Sequence, residues 1–303
     1  MASNIKRTVL NAAKPLVLPY TRKKLNSFYQ NSLKPAELGD GNVLVLAPHV
    51  DDETIGLGGT ILKHVKNGQQ VTVAYITDGA GSVSSLSKSE LMQKRKDEAY
   101  EVQKLLGFQN LVFLDFPDGA IESNAQTRAA FEKLIDEKKP GIIYCTTFID
   151  CHRDHVATGR ILADVIADTS YEGVIRLYEI NCPISPSAIN TVIDISSEAA
   201  VKEKAVNIFQ SQAIDFDGFI ELSKIKTNML ADSEAAAVET FLEIPAQHFP
   251  AQYRIMDSEG HSYSSIFKQV NKAATLLWGI MKNADLKKEW YQKSRNAEGV
   301  KQS

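Results

Sequence analysis

Cysteine is scarce in this 303-residue chain: Cys145, Cys151 and Cys182 are odd in number and form no C-x-x-C pair. That pattern argues against a disulfide framework and against a thiolate zinc knuckle, and leaves three thiols to be buried as small apolar groups. Long apolar runs are lacking too. Nothing approaches the ~20 residues that a membrane-spanning helix needs, and Leu16-Val17-Leu18 is bracketed by Pro15 and Pro19. The N-terminus carries no continuous apolar segment followed by a small-residue cleavage site, so a cytoplasmic location is expected. Positive charge is not in excess: 34 Lys and Arg stand against 37 Asp and Glu, the net charge is −3 and the pI is near 6.1. No chain-wide field exists to gather nucleic acid, which is not expected as a partner. Internal repeats and low-complexity tracts are missing, which removes solenoid architectures.

What is there is an ordinary globular composition, 44% apolar and 23% charged, able to bury a sizeable core. From about residue 42 short β-branched runs alternate with longer amphipathic ones, the pattern of βαβ units. Strands are expected at 42–47, 71–77, 111–114 and 142–146, and further ones at 174–180 and 191–195. Helices are expected over about 54–67, 89–106, 126–137, 156–167, 198–210 and 220–230. The predicted fold is α/β, a Rossmann-like, mainly parallel sheet sandwiched by helices.

Three segments are distinguished. Residues 1–40 form a basic arm, with Lys6, Arg7, Lys14, Arg22, Lys23, Lys24 and Lys34 against only Glu37 and Asp40. A solvated arm, or a peripheral contact with anionic lipid or a partner, would account for that imbalance. Residues 41–255 are the catalytic body. Residues 256–303 are read as a helical extension, with Ile266, Val270, Ala273, Ala274, Leu277 and Ile280 at helical spacing. Its apolar face either packs on the body or joins two copies, so the oligomeric state stays open.

Chemistry concentrates at two predicted strand ends. Pro48-His49-Val50-Asp51-Asp52-Glu53 lies where the first strand gives way to a helix, the rim at which open α/β sheets bind ligands. Adjacent carboxylates there raise one another's pKa, a conflict that a divalent cation resolves. Phe148 to His155 (FIDCHRDH) follows the fourth strand, and its His152-Arg153-Asp154-His155 faces the same rim. Catalytic zinc takes three nitrogen or oxygen ligands and leaves one position for water, which a His, Asp, His set satisfies. Singly, each residue has a plainer role: a histidine before a helix is commonly a cap, and an Asp-Asp pair an N-cap beside the helix dipole. The coincidence of two such clusters is what favours a site. Gly56-x-Gly58-Gly59 is a weak dinucleotide signal, because Asp51, Asp52 and Glu53 occupy the turn and would repel phosphate; close packing of helix on sheet explains those glycines better.

Over roughly residues 42–245 these motifs resemble the LmbE/PIG-L zinc deacetylases of N-acetylglucosaminyl conjugates. The family's leading PHPDDE pattern stands here as residues 48–53 and its HPDH pattern as residues 152–155, with Val50 and Arg153 in place of prolines. Arg95 and Glu98, Asp118-Gly119, Ser211-Gln212, Glu239 and Phe241 are lesser matches. The resemblance implies His49, Asp52 and His155 as metal ligands, Asp51 as general base, and His152 as the group that stabilises the oxyanion or protonates the leaving amine, with Asp154 orienting it and Asp150 assisting. Arg95 and Asp118 are placed on the substrate side, Arg95 competing with a structural ion pair to Glu98. Zn2+ is the implied cofactor, and Fe2+ suits the same ligand types. The implied reaction is deacetylation of an N-acetylated amino sugar, as a small conjugate, a glycolipid or a polysaccharide precursor. The alternatives are an amidase of the same fold acting on another amide, and a non-catalytic sugar-binding protein with a structural metal; intact Asp51 and His152 count against the latter.

Overall fold

Seven strands form one mixed sheet in a computed structural model that describes residues 2–81, 84, 86–211, 215–231, 234–257 and 262–296, with residues 2–11 described by backbone alone. The elements run α1 (Ala2–Phe28), β1 (Asn42–Ala47), α2 (Asp52–Lys66), β2 (Val71–Thr77), α3 (Lys88–Leu106), β3 (Asn110–Phe116), α4 (Ala125–Lys138), β4 (Pro140–Thr146) and α5 (Arg153–Asp168). They continue with β5 (Val174–Tyr178), β6 (Thr191–Asp194), α6 (Ala199–Val206), α7 (Asp217–Ile225), β7 (Val238–Pro245), α8 (Phe249–Asp257), α9 (Tyr263–Ile266), α10 (Leu276–Met281) and α11 (Ala284–Arg295).

The sheet order is β3-β2-β1-β4-β5-β7-β6. The five strands from β3 to β5 are parallel, with Val43 opposite both Val71 and Ile142, and β7 is antiparallel to β5 and β6. Strand alternation sorts the core: Val43, Val45 and Ala47 point to the side covered by α2, α3 and α6, whereas Leu44 and Leu46 point to the side covered by α4, α5, α8 and α11. Burial on both faces explains why β1 and β2 read as continuous apolar runs. The α/β expectation therefore holds, with one strand, β7, that the hydrophobic pattern did not mark.

Successive strands step from β1 to β3 in one direction and then cross back to β4 and β5 in the other. The crevice between the ends of β1 and β4 is thus the topological switch point, where such sheets bind ligands. Gly56 and Gly59 let α2 approach the sheet: a Cβ would lie 2.3 Å from the Tyr178 ring at the first and 2.8 Å from Ile195 at the second.

Two regions depart from expectation. The basic N-terminal segment is a helix through Pro15 and Pro19, seated by Thr21, Leu25 and Tyr29, with Lys14 and Arg22 paired to Asp217 and Glu221 of α7. The C-terminal segment is not one helix. It breaks between α9 and α10, because Phe267 is extended and the Asn271 carbonyl accepts from Gly218 N–H at 3.0 Å, a bond that replaces the helical ladder. Its apolar residues Leu276, Ile280, Trp290 and Tyr291 join the main core. No helix among the described residues is long and apolar enough to cross a membrane.

Candidate metal centre and active-site cleft

His49 follows β1 directly, Asp118 follows β3, His152 to His155 open α5 after β4, and Asn181 follows β5. His49, Asp118, His152, His155 and Asn181 line one cleft of about 180 Å³, with Asp51, Asp52 and Arg95. His49 Nδ1 lies 3.2 Å from His155 Nε2 and 3.3 Å from Asp52 Oδ2, and the last two atoms are 3.2 Å apart. A tetrahedral ion with bonds of about 2.0–2.1 Å spaces its donors about 3.3–3.4 Å apart, so this triangle fits one. Within 4.8 Å of one another also lie ligand atoms of His49, His152 and His155, and of His49, Asp118, His152 and Asp154.

The second nitrogen of each paired imidazole faces carboxylate. His49 Nε2 is 3.3 Å from Asp154 Oδ2 and 3.4 Å from Asp118 Oδ1; His155 Nδ1 is 3.2 Å from Asp150 Oδ1. Those carboxylates are themselves held. Asp154 Oδ2 accepts from Gly119 N–H at 2.6 Å, Asp118 Oδ2 from Gly81 N–H at 3.0 Å, and Asp150 from His152 N–H and the Asn181 side chain. A carboxylate behind a histidine fixes its ring and tautomer, the arrangement that makes a good metal ligand.

The electrostatics ask for positive charge. Burial works to lower His49, but Asp118, Asp154 and Asp52 outweigh it and hold that imidazole well above its usual pKa. Burial likewise opposes protonation of His155, yet Asp52 and Asp150 push it up to about 10. Asp51 is displaced upward, by burial first and then by the neighbouring Asp52 charge. Asp52 goes far below the carboxylate range, because the His155 and His49 interactions overcome its burial. A pocket that forces protons onto two histidines suits a divalent cation among the same donors.

Asp51 takes φ 127° and ψ −28°, a left-handed region that L residues avoid at about 1–3 kcal/mol. Its carbonyl accepts from Thr54 and Ile55 N–H, and its N–H donates to Glu53, which pins this conformation at the start of α2.

The Asp154 carboxylate lies near His152 but takes its hydrogen bonds elsewhere. His152 caps α5, its Nδ1 accepting from Asp154 N–H at 3.3 Å, while the Asp154 side chain turns to His49 and Gly119. Burial, then the His49 and His155 charges, lower His152 to about 4. Arg95 is 2% exposed and lines the cleft, whereas Glu98 accepts from Ser211 N–H and Oγ. Gln212 lies outside the described residues. Val50 is buried and Arg153 exposed. Cys151 and Cys182, distant in sequence, bring their sulfurs to 3.1 Å beside Asp150.

Sequence reasoning missed Asn181, Phe219, Gln269 and Asn271 on the cleft wall. Asn181 had a usable signal, being polar just past a parallel strand. Gln269 and Asn271 had none, since they come from the break in the C-terminal segment.

Fold and site together define an α/β protein with a His/Asp metal-binding cluster at its switch point. Residues 44–166 match the family model described as PIG-L: GlcNAc-PI de-N-acetylase. The diacetylchitobiose deacetylase of Thermococcus kodakarensis is 28% identical over 186 residues, 56% of this chain and 69% of that one. A probable N-acetyl-alpha-D-glucosaminyl L-malate deacetylase 2 of Bacillus anthracis is 26% identical over 136 residues, 42% of this chain and 59% of that one. The solved N,N'-diacetylchitobiose deacetylase of Pyrococcus horikoshii, in complex with an inhibitor, shares the fold, with a TM-score of 0.60 at 24% identity over 69% of this chain and 85% of that one.

Proposed function

We propose that this protein is a metal-dependent hydrolase that removes the acetyl group from an N-acetylated amino sugar carried on a small conjugate, a glycolipid or a polysaccharide precursor. The observation that carries the reading is the triangle of His49 Nδ1, Asp52 Oδ2 and His155 Nε2, 3.2–3.3 Å on each side, with Asp154 and Asp150 behind the two rings. Those three residues would hold Zn2+, or Fe2+ in its place. When bound, such an ion polarises the acetamide carbonyl and makes a nearby water easier to deprotonate.

The chain's own groups do the rest. Asp51 takes a proton from the water as its oxygen attacks the carbonyl carbon, and later gives that proton to the leaving nitrogen as the C–N bond breaks. His152, whose Nδ1 is occupied as an acceptor, carries its proton on Nε2 and so can donate a hydrogen bond to the carbonyl oxygen as negative charge grows there. Arg95 and Asp118 flank the cleft as a charged pair able to hydrogen-bond sugar hydroxyls. The products are the free amino sugar and acetate. The two named deacetylase relatives support this substrate class. The cytoplasmic setting expected from the sequence is kept within this proposal, to be checked by cell fractionation.

The test is acetate release from a panel of N-acetylglucosamine conjugates by metal-reconstituted protein, beside Asp51→Asn, with metal content measured for both. Asparagine tolerates positive φ, so the variant removes the base and keeps the backbone. Activity that falls by about 10²–10⁴ in the variant while metal stays bound is the expected result. Metal binding without acetate release from any conjugate would move the reading to an amidase of another substrate.

A further inference from the structure

We infer that the face formed by α1 and α10 is a docking surface for an anionic lipid bilayer. Leu16, Val17, Tyr20, Trp278 and Met281 make up most of the exposed large apolar side chains among the described residues, Leu16 at 84% and Trp278 at 58% exposure. They sit on neighbouring elements. Leu16, Tyr20, Lys24 and Phe28 follow at intervals of four along α1, one stripe of that helix, while Thr21, Leu25 and Tyr29 face inward. Between this stripe and Leu277, Trp278 and Met281 of α10 runs an apolar groove of about 590 Å³.

Charge selects the occupant. Residues 12–30 hold Lys14, Arg22, Lys23 and Lys24, residues 262–283 hold Lys268, Lys272 and Lys282, and neither stretch contains Asp or Glu, although acids outnumber bases in the whole chain. Lys14, Arg22 and Lys272 are paired inward, to Asp217, Glu221 and Asp215. Lys24 and Lys268 instead lie over the rings of Tyr20 and Trp278, at 5.7 and 5.9 Å. Aromatic rings flanked by ammonium groups around an apolar centre match the headgroup layer of an anionic leaflet, where rings sit at the interface and lysines meet lipid phosphate or carboxylate. A second copy of this chain fits worse, because a two-fold contact through this patch sets lysine against lysine. Lys268 also directly precedes Gln269 of the cleft wall in sequence. The inference does not depend on which substrate the metal site takes.

The full chain is centrifuged with vesicles of phosphatidylcholine containing about three parts in ten phosphatidylserine, and with phosphatidylcholine alone. The protein should pellet with the anionic vesicles about tenfold or more above the neutral ones, and lose this in 0.5 M salt. Both Leu16→Ser/Trp278→Ser and Lys24→Glu/Lys268→Glu should cut pelleting about tenfold at an unchanged thermal midpoint. Three results overturn the inference: no pelleting with anionic vesicles at low salt, equal pelleting of folded variants, or a solution dimer that Trp278→Ser dissolves.

Discussion

The Lys202 ammonium lies 2.6 Å from the Glu239 carboxylate, an ion pair between α6 and β7 that is almost wholly buried. The same carboxylate accepts from Gly59 and Thr60 N–H at 2.9 and 2.7 Å, just past Leu57, where α2 is kinked. A broken helix frees backbone N–H groups, and here an acid on β7 satisfies them. Lys202 also donates to the Ile55 carbonyl on the other side of the kink.

Glu239→Ala should therefore destabilise the fold by about 3–5 kcal/mol, since it strands a buried ammonium and two backbone donors together. Glu239→Gln should cost less, because an amide oxygen still accepts. Urea unfolding followed by circular dichroism distinguishes the two.

Asp150 should act on the metal through His155. Asp150→Asn removes the carboxylate 3.2 Å from His155 Nδ1 and should weaken metal affinity about 10–100-fold, with the ligands themselves intact. Competition against a chelator of known affinity reads this directly. Unchanged affinity would mean that the loop alone orients His155.

Stability should fall in mild acid through His64, which lies away from the metal donors. It is wholly buried between Gln69 Oε1 and the Tyr144 hydroxyl, at 2.7 and 2.8 Å, and burial lowers it to about 4. Its folded pKa is thus below the unfolded value near 6.5. Between the two, the unfolded chain takes up a proton that the folded chain does not, so stability is intact above about pH 6.5 and declines toward pH 4. From pH 7 to pH 5 this contributes a loss of about 1–2 kcal/mol, which His64→Gln should abolish. Denaturant midpoints of both proteins at the two pH values provide the check.

Gln269 and Asn271 should hold the part of the substrate that lies outside the reacting acetamide. Alanine at each should raise KM about 3–10-fold with kcat within about twofold, the signature of lost uniform binding. The effect should vanish on a minimal N-acetylated monosaccharide that does not reach the C-terminal segment.

Much of this protein was legible because its central strands are buried on both faces, so β1, β2 and β4 could be nothing but runs such as NVLVLA and VTVAYIT. The two histidine–aspartate motifs announced themselves because they occupy strand ends where bare carboxylates would repel. β7 escaped notice: Glu239 and Thr240 point away from any simple alternation, and only Lys202 and the kinked helix make that buried charge tolerable. The partner of Asp154 was unreadable for a similar reason. Adjacency in sequence suggested His152, but the turn into α5 uses the His152 ring as a cap and aims the carboxylate at His49, over a hundred residues earlier.

By itself, then, the sequence determined the parallel core, the rim that carries the chemistry and the residue types crowded there, since periodicity and local charge conflict are encoded within a few neighbouring positions. Only the tertiary structure decided which nitrogen of each histidine meets which acid, and that α1 and α10 lie side by side. It also decided that residues 267–272 leave the helix to wall the cleft. Each of those outcomes is set by packing and hydrogen bonds between segments far apart along the chain, whose partners no local pattern names.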